Sequence, residues 1–376
     1  MLTGTPRTIV DPTQWAVGPA VNAKNNMIKI DGTHGEGGGQ ILRTALALSI
    51  LSSQATRLCN IRGRRPKPGL MPQHLWAVEA AAKISHARVQ GATLGSLELS
   101  FEPGIVSAGD YGFDIGTAGA VMLVLQTVAI PLSFAHGNSR LAVTGGTHVP
   151  LSPSYEFFAL HWAHILHRSG FRIEVILERP GFYPKGGGRV RAAITPLRRA
   201  APLRLLERGK LRRIYGVSLA AALDLSVAQR QMHQARTRLT PLCADIDIEV
   251  KRLSSYSPGT ALLLVAEFEH TQCAYGALGA RGKPAERVAD EAVDALLAFL
   301  AGDAAIDEHL ADQLILPLAV ADGVSELSIA RITPHLVTNT DIVRLFLPVE
   351  ITISGEIGMP GRVRIAGTST ASQTRT

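Results

Sequence analysis

Near the start of the chain a carboxylate and a guanidinium flank a run of glycines: Asp31-Gly-Thr-His-Gly-Glu-Gly-Gly-Gly-Gln-Ile-Leu-Arg43. Five glycines lie between Asp31 and Gln40, so this backbone can adopt φ > 0 and let a ligand approach closely. Glu36 offers an acid to a cation, Arg43 a guanidinium to an anion, and the apolar helix that follows offers free N–H groups at its start. Together these suit a metal-bound nucleotide phosphate. The plain alternative is a Gly-rich strand-to-helix turn with a solvent-facing Glu. Two common phosphate signatures fail: position 40 is Gln, so Gly35-x-Gly37 completes no dinucleotide fingerprint, and no Gly-x-x-x-x-Gly-Lys-Ser/Thr occurs.

A candidate nucleophile lies far along the chain, in Thr333-Pro-His-Leu-Val-Thr-Asn339. His335 follows a proline and opens a helix, whose N-terminus holds nearby phosphate and is expected to lower the imidazole pKa, keeping it neutral and nucleophilic. Without further context a packing or capping histidine is the better explanation. Arg62-Gly-Arg-Arg65-Pro-Lys-Pro-Gly-Leu-Met-Pro-Gln-His74 is a basic loop stiffened by three prolines, and rigidly spaced guanidiniums suit bidentate phosphate grips. His161, His164 and His167 fall at three-residue spacing on one helix. No Glu completes a metal motif there, so packing and surface roles are expected. His34 and His148, each in a Gly-rich turn, are weaker candidates for lining a pocket.

These groups need a large scaffold. The chain has 376 residues, 46% hydrophobic and 18% charged, enough for two or three domains with a real core. The net charge of +7 and pI near 9.5 favour a polyanionic partner. A second basic run, Arg198 to Arg213, is explained at least as well by a solvated face. Three scattered cysteines (Cys59, Cys243, Cys273) make neither a disulfide framework nor a zinc site and fit a reducing cytoplasm. The first residues carry no signal-peptide pattern, and Ala118 to Ala135, broken by Gln126, Thr127, Pro131 and Ser133, reads as a buried helix rather than a membrane span. No membrane association is expected.

Residues 1–26 read as a poorly ordered extension or an upstream alternative start, and Ser369 to Thr376 as a frayed tail. From Met27 the pattern repeats. The first unit runs strand, helix (Gln40 to Ser53), strand (Thr56 to Ile61), helix (Pro72 to Ser85), then strands at Leu97 to Phe101 and around Phe113. A second begins at Gly116-Thr-Ala-Gly119, and a third has helices at Asp307 to Ala321 and His335 to Phe346. The expected fold is α/β (α+β), with three βαβαββ units over 27–195 and 283–368 and a small α/β domain inserted at 196–282. Pro284 to Ala301 is expected to return the chain to the main body.

Five motifs in order carry a resemblance: the Asp31-to-Arg43 turn, the Arg62/Arg65/Lys67 loop, Gly181-Phe-Tyr-Pro-Lys-Gly-Gly-Gly188, His309-Leu-Ala-Asp-Gln313 and His335-Leu-Val-Thr-Asn339. From about Met27 to Ile365 the chain resembles the RNA 3′-terminal phosphate cyclases. The resemblance implies ATP-dependent conversion of an RNA 3′-phosphate into a 2′,3′-cyclic phosphate through a covalent adenylyl-histidine at His335. It implies a metal, Mg²⁺ or Mn²⁺, on Glu36, and phosphate contacts from Arg43, Arg62 and Arg65. Gln73, Asp312 and Gln313 would supply polar groups to the nucleotide, Pro150 would lie against adenine, and His309 would stand where an aromatic ring commonly stacks. Pro180 departs from the basic residue more usual there. The resemblance leaves a monomer and a homodimer open. Two other readings compete: a non-catalytic cyclase-like protein of ribosome assembly, which would lack the nucleophile, and an enolpyruvyl transferase, whose motifs these are not.

Overall fold

The computed structural model describes residues 27–367, so the expected N-terminal extension and C-terminal tail lie outside the described residues. Three sheets repeat one plan. In the first, β1 (Ile28–Asp31) and β2 (Thr56–Cys59) are parallel, and β4 (Leu99–Glu102) runs antiparallel to both β2 and the edge strand β3 (Arg88–Gln90). Helices α1 (Gly39–Ser52) and α2 (Pro72–Ser85) make the crossovers. The second sheet has the same order: β5 (Asp110–Asp114) parallel to β6 (Ser139–Gly145), with β8 (Gly188–Thr195) between β6 and β7 (Arg172–Arg179). Alternation fixes each register: along β8 every second residue is buried, because only one face of the sheet meets the helices.

The strand around Phe113 therefore opens the second unit instead of closing the first, a correction to the sequence reading. The strand that reading missed, β3, is a three-residue edge element whose two ends, Arg88 and Gln90, are exposed, so no apolar alternation marks it. The second unit's helices are α3 (Val121–Ser133) and a composite of α4 (Tyr155–Phe157), one π turn (Phe158–Trp162) and α5 (Ala163–Arg168). Twelve of the thirteen residues of α3 are buried; it is apolar all round because it packs against α1 and α2 as well as its own sheet.

In the third unit the insertion splits the first crossover. Its opening strand, β9 (Arg204–Leu205), pairs in parallel with β14 (Gly323–Ile329), while β15 (Glu350–Ser354) and β14 flank β16 (Gly361–Gly367). The inserted sheet, order β11-β10-β12-β13, comprises β10 (Leu211–Ala221), β11 (Ile246–Leu253), β12 (Gly259–Phe268) and β13 (Gln272–Leu278). It is covered by α6 (Leu225–Leu239) and α7 (Ala285–Leu300), which share a core of Leu262, Leu264, Val288, Val293 and Leu296. Hence the 196–282 boundaries shift: β9 belongs to the main body, and α7 belongs to the insert. The apolar stripe of α7 needed a sheet to cover, and sequence alone does not say which. Most of the Arg198-to-Arg213 run is structural: Arg199 pairs with Asp322, Arg204 with Glu326, Arg213 with Glu267, and Arg208 lies over Phe268 and Phe299.

The last two helices of the third unit are α8 (Glu308–Ala319) and α9 (Pro334–Phe346). α9 packs on both α8 and α1, so the Gly-rich turn before α1 meets the start of α9. That meeting creates the site.

Candidate active site

Two caps set the local geometry. Thr333 accepts the Leu336 N–H at the start of α9, with Pro334 as the first helical residue, so His335 projects from the first turn. Opposite, Gly35 (φ +52°) and Gly37 (φ +60°) bend the backbone on either side of Glu36. A methyl group on Gly35 would sit 2.0 Å from Thr338 Oγ1, so only glycine allows the turn this close to α9. The Glu36 N–H in turn donates to Thr338 Oγ1 at 3.2 Å.

The Glu36 carboxylate is almost covered, with 8% of its side chain exposed, and it bridges two partners. Oε2 accepts from Arg65. Oε1 lies 3.1 Å from His335 Nδ1 and has no other polar neighbour within hydrogen-bonding reach among the described residues. Burial pushes the Glu36 pKa up, but His335 and the guanidiniums of Arg65 and Arg43 outweigh it and hold the carboxyl below its usual range. The hydrogen bond from His335 to Glu36 raises the imidazole pKa against the opposing effect of burial. This corrects the expectation of a lowered value: a carboxylate at 3.1 Å outweighs the partial charge of a helix end.

Arg43 and Asp312 complete the cluster. Burial lowers Arg43 to about 10 despite the nearby charges of Glu36 and Asp312, and burial raises Asp312 to about 7 although His335, Gln40 and Arg43 favour its ionised form. Asn339 ties the helices together beneath them, accepting from Thr44 Oγ1 (2.6 Å) and donating to the Asp312 carbonyl (2.6 Å). Five of the residues singled out from sequence, Glu36, Arg43, Arg65, Asp312 and His335, thus act on one another directly.

The others stand at various removes. Gln73 lies beside this cluster, its Oε1 3.5 Å from the Ala120 N–H at the start of α3. Gln313 is turned toward α3, accepting from Gln126 (2.5 Å) and donating to the His309 carbonyl (2.6 Å). His309 faces the edge of Tyr275, with ring centroids 6.1 Å apart. Pro150 is exposed beside Val149, which packs on Ala120 and Leu123, so it stands on the α3 side. Arg62 does not point a free guanidinium outward: its Nη1 donates to the carbonyls of Lys67 (2.6 Å) and Gly69 (3.0 Å) and holds its own loop.

Sequence reasoning assigned no role to several neighbours. Arg64 donates to the Gly35 carbonyl at 2.7 Å, clamping the Gly-rich turn. His74 is buried, accepts the Met71 N–H through Nδ1, and is pushed down to about 3 by burial and by Arg43 and Arg62. Thr338 and Asn339 stood inside a quoted motif, but one turn of helix does not reveal what lies across it. Among the other histidines, His148 is buried against Glu156 (2.6 Å), and His161 is likewise buried, against Asp307 (2.6 Å). His34 lies 2.9 Å from Asp341.

A profile of RNA 3′-terminal phosphate cyclases matches residues 34–353. An RNA 3′-terminal phosphate cyclase of Methylococcus capsulatus is 46% identical over 350 residues, 91% of this chain and 97% of that protein. The chain belongs to the RNA 3′-terminal phosphate cyclase family. The cyclase of Caldivirga maquilingensis is 47% identical, covering 86% of this chain and 94% of its own, and that of Ralstonia nicotianae is 46% identical over 88% and 94%. Within this enzyme family the match spans both the Gly-rich turn and His335, the two halves brought together by α1 and α9. No helix among the described residues is long and apolar enough to cross a membrane.

Proposed function

We propose that this chain uses ATP to convert an RNA 3′-terminal phosphate into a 2′,3′-cyclic phosphodiester, with His335 as the nucleophile. The observation that carries the reading is the pairing of His335 Nδ1 with the buried Glu36 carboxylate at 3.1 Å. With Nδ1–H donated to Glu36, the lone pair of the neutral ring resides on Nε2, and nearly half of the side chain (47%) is exposed for attack. Nε2 attacks the α-phosphorus of ATP, a P–N bond forms, and the bond to the bridging oxygen breaks to release diphosphate. An oxygen of the RNA 3′-phosphate then displaces the imidazole, giving an RNA–AMP anhydride. The neighbouring 2′-hydroxyl attacks the terminal phosphorus, AMP leaves, and the ring closes. That last step needs little beyond charge stabilisation, since a well-oriented intramolecular nucleophile can have an effective molarity of roughly 10⁵–10⁸ M.

Arg43 and Arg65 stand where they can take charge on the phosphates, and Asp312, at about 7, can hold or release a proton beside His335. Glu36 is the residue that would hold a divalent cation, Mg²⁺ or Mn²⁺, its buried Oε1 having no polar contact closer than His335 Nδ1 at 3.1 Å among the described residues. No cluster of three or more acidic, histidine or cysteine side chains forms a cage among the described residues. That suits an ion held by one carboxylate and the substrate's own phosphates. Such an ion would stabilise the developing charge on the phosphoryl oxygens.

The test is incubation with α-labelled ATP, Mg²⁺ and a 3′-phosphorylated RNA oligonucleotide. The protein should acquire an acid-labile nucleotide label that His335→Ala abolishes, and the RNA end should become resistant to phosphatase. An unlabelled wild-type protein would instead mark a non-catalytic member of the family.

A further inference from the structure

The loop Gly181–Gly188 joins β7 to β8 in the main body, yet it is docked against the β11–β12 connection of the insert. Ser255 Oγ donates to the Pro180 carbonyl (2.9 Å), the Lys185 N–H donates to Ser257 Oγ (3.1 Å), and a methyl on Gly187 would lie 2.3 Å from the Tyr256 ring. Arg179 closes the junction. Its Nε donates to the Gly187 carbonyl (2.7 Å), and its guanidinium lies over the Tyr256 ring, 4.2 Å from the centroid. A cation is therefore present at the loop even though position 180 is proline. Tyr256 is nonetheless 56% exposed and Tyr183 74% exposed, while Arg179 and Lys185 have no carboxylate partner among the described residues. A shallow depression of about 360 Å³, lined by Arg252, Ser254 and Ser255, adjoins Tyr256.

Two exposed phenol rings at one junction, one of them stacked by Arg179 and the other lying two residues from Lys185 in the same loop, have the chemistry of a stacking platform for single-stranded nucleic acid. Their place in the fold links them to the reacting groups. Gly186 is packed against Thr117 and Ala118, the next residues Gly119 and Ala120 meet Gln73, and His74 beside it lies against Gly39, with the Arg43 guanidinium on the same glycine. A continuous line of contacts thus runs from the platform to the Glu36–His335 cluster.

We propose that Tyr183 and Tyr256, backed by Arg179 and Lys185, form the binding surface for the RNA bases that precede the reacting 3′ end. The insert is then part of the substrate site, with Tyr256 as its contribution. This rests on the cyclase reading above for its choice of RNA. Its test is affinity, which separates the two claims.

The probe is a fluorescent single-stranded RNA of about ten nucleotides with a 3′-phosphate, followed by anisotropy at fixed salt. Tyr256→Ala and Tyr183→Ala should each weaken binding about 5- to 150-fold, the range for losing one stacked base, whereas Tyr256→Phe should stay within about twofold. An abasic strand of the same length should not distinguish wild type from Tyr256→Ala. Melting temperatures report whether the variants fold. Unchanged affinity in both alanine variants, or an equal loss on the abasic strand, overturns the platform. A wild-type protein that binds the RNA with the expected variant pattern but never cyclises it overturns the function reading and leaves the platform standing.

Discussion

Replacing Glu36 by Gln removes one charge from the cluster and little else in shape, and it should lower the pKa of His335. The hydrogen bond from His335 to Glu36 is the largest influence raising that pKa, and Arg65 opposes it. With Nδ1 and Oε1 3.1 Å apart and only 8% of the Glu36 side chain exposed, screening is weaker than in water. Coulomb's law at water's dielectric gives about 1.3 kcal/mol, the least that this pairing contributes to the imidazolium. NMR titration of the histidine C2–H signals in the protein without ATP reads this directly, the His335 signal being the one absent from His335→Gln. The expected result is a fall in Glu36→Gln and a rise in Arg65→Gln.

The sign carries over to stability. The raised value means that the folded state binds this proton more tightly than the unfolded chain does. Glu36 behaves oppositely, its folded pKa being lowered. The pair therefore stabilises most between the ordinary values of 4.5 for Glu36 and 6.5 for His335. Its contribution is lost as pH falls through the lowered carboxyl value or rises through the raised imidazole value. An unchanged or raised His335 pKa in Glu36→Gln would refute the claim that this carboxylate governs the imidazole.

Two substitutions test the frame around the cluster. Gly39→Ala would put a methyl 2.2 Å from His74 Nε2 and 3.1 Å from Arg43 Nη1, in a place closed by a buried imidazole. It should cost about 1–3 kcal/mol in urea unfolding and raise KM for ATP, and a variant of wild-type stability and KM would show that Arg43 is not held there. Gln272→Leu leaves His161 Nδ1 and the Tyr215 hydroxyl without their shared partner, and should destabilise by about 1–3 kcal/mol in the same assay. A loss below about 0.5 kcal/mol would mean that water replaces the amide.

The repeat was legible in sequence because each unit alternates short apolar strands with longer helices, a local pattern. So were Glu36, Arg65 and His335, because glycine, proline and charge in short runs mark a built loop. What the sequence withheld is non-local. The three-residue edge strand β3 shows no alternation, and α7 has an apolar stripe without an address. The pKa of His335 was misjudged because the helix end was visible in the chain, while the carboxylate facing it comes from about 300 residues away. Arg62 looked like its neighbour Arg65, yet one holds its own loop's carbonyls and the other the Glu36 carboxylate. Residue type does not distinguish those outcomes; the path of the backbone does.

The point at which the chain is interrupted has a physical consequence. The insert enters between β9 and α8, so α8, which carries His309, Asp312 and Gln313, receives its first turn directly from the inserted domain. Asp307 caps that turn through the His309 and Leu310 N–H groups and sets its other oxygen 2.6 Å from His161 Nε2 on the π turn of the second unit. Gln272, the first residue of β13, completes the chain. Its amide nitrogen faces the Leu160 carbonyl (2.6 Å), which only accepts, so the nitrogen must be the donor to His161 Nδ1 (3.2 Å), and its oxygen accepts from Tyr215 (3.1 Å). That order leaves the imidazole with its proton on Nε2, directed at Asp307. Tyr275 of the same strand donates to Glu308 (2.8 Å) and meets the His309 ring. Tyr215, Gln272 and Tyr275 belong to the insert, whereas His161, Asp307 and Glu308 belong to the main body. Removing the insert would therefore take Gln272 from His161 and Tyr275 from Glu308, while Asp307 keeps His161 and Glu308 keeps Arg331.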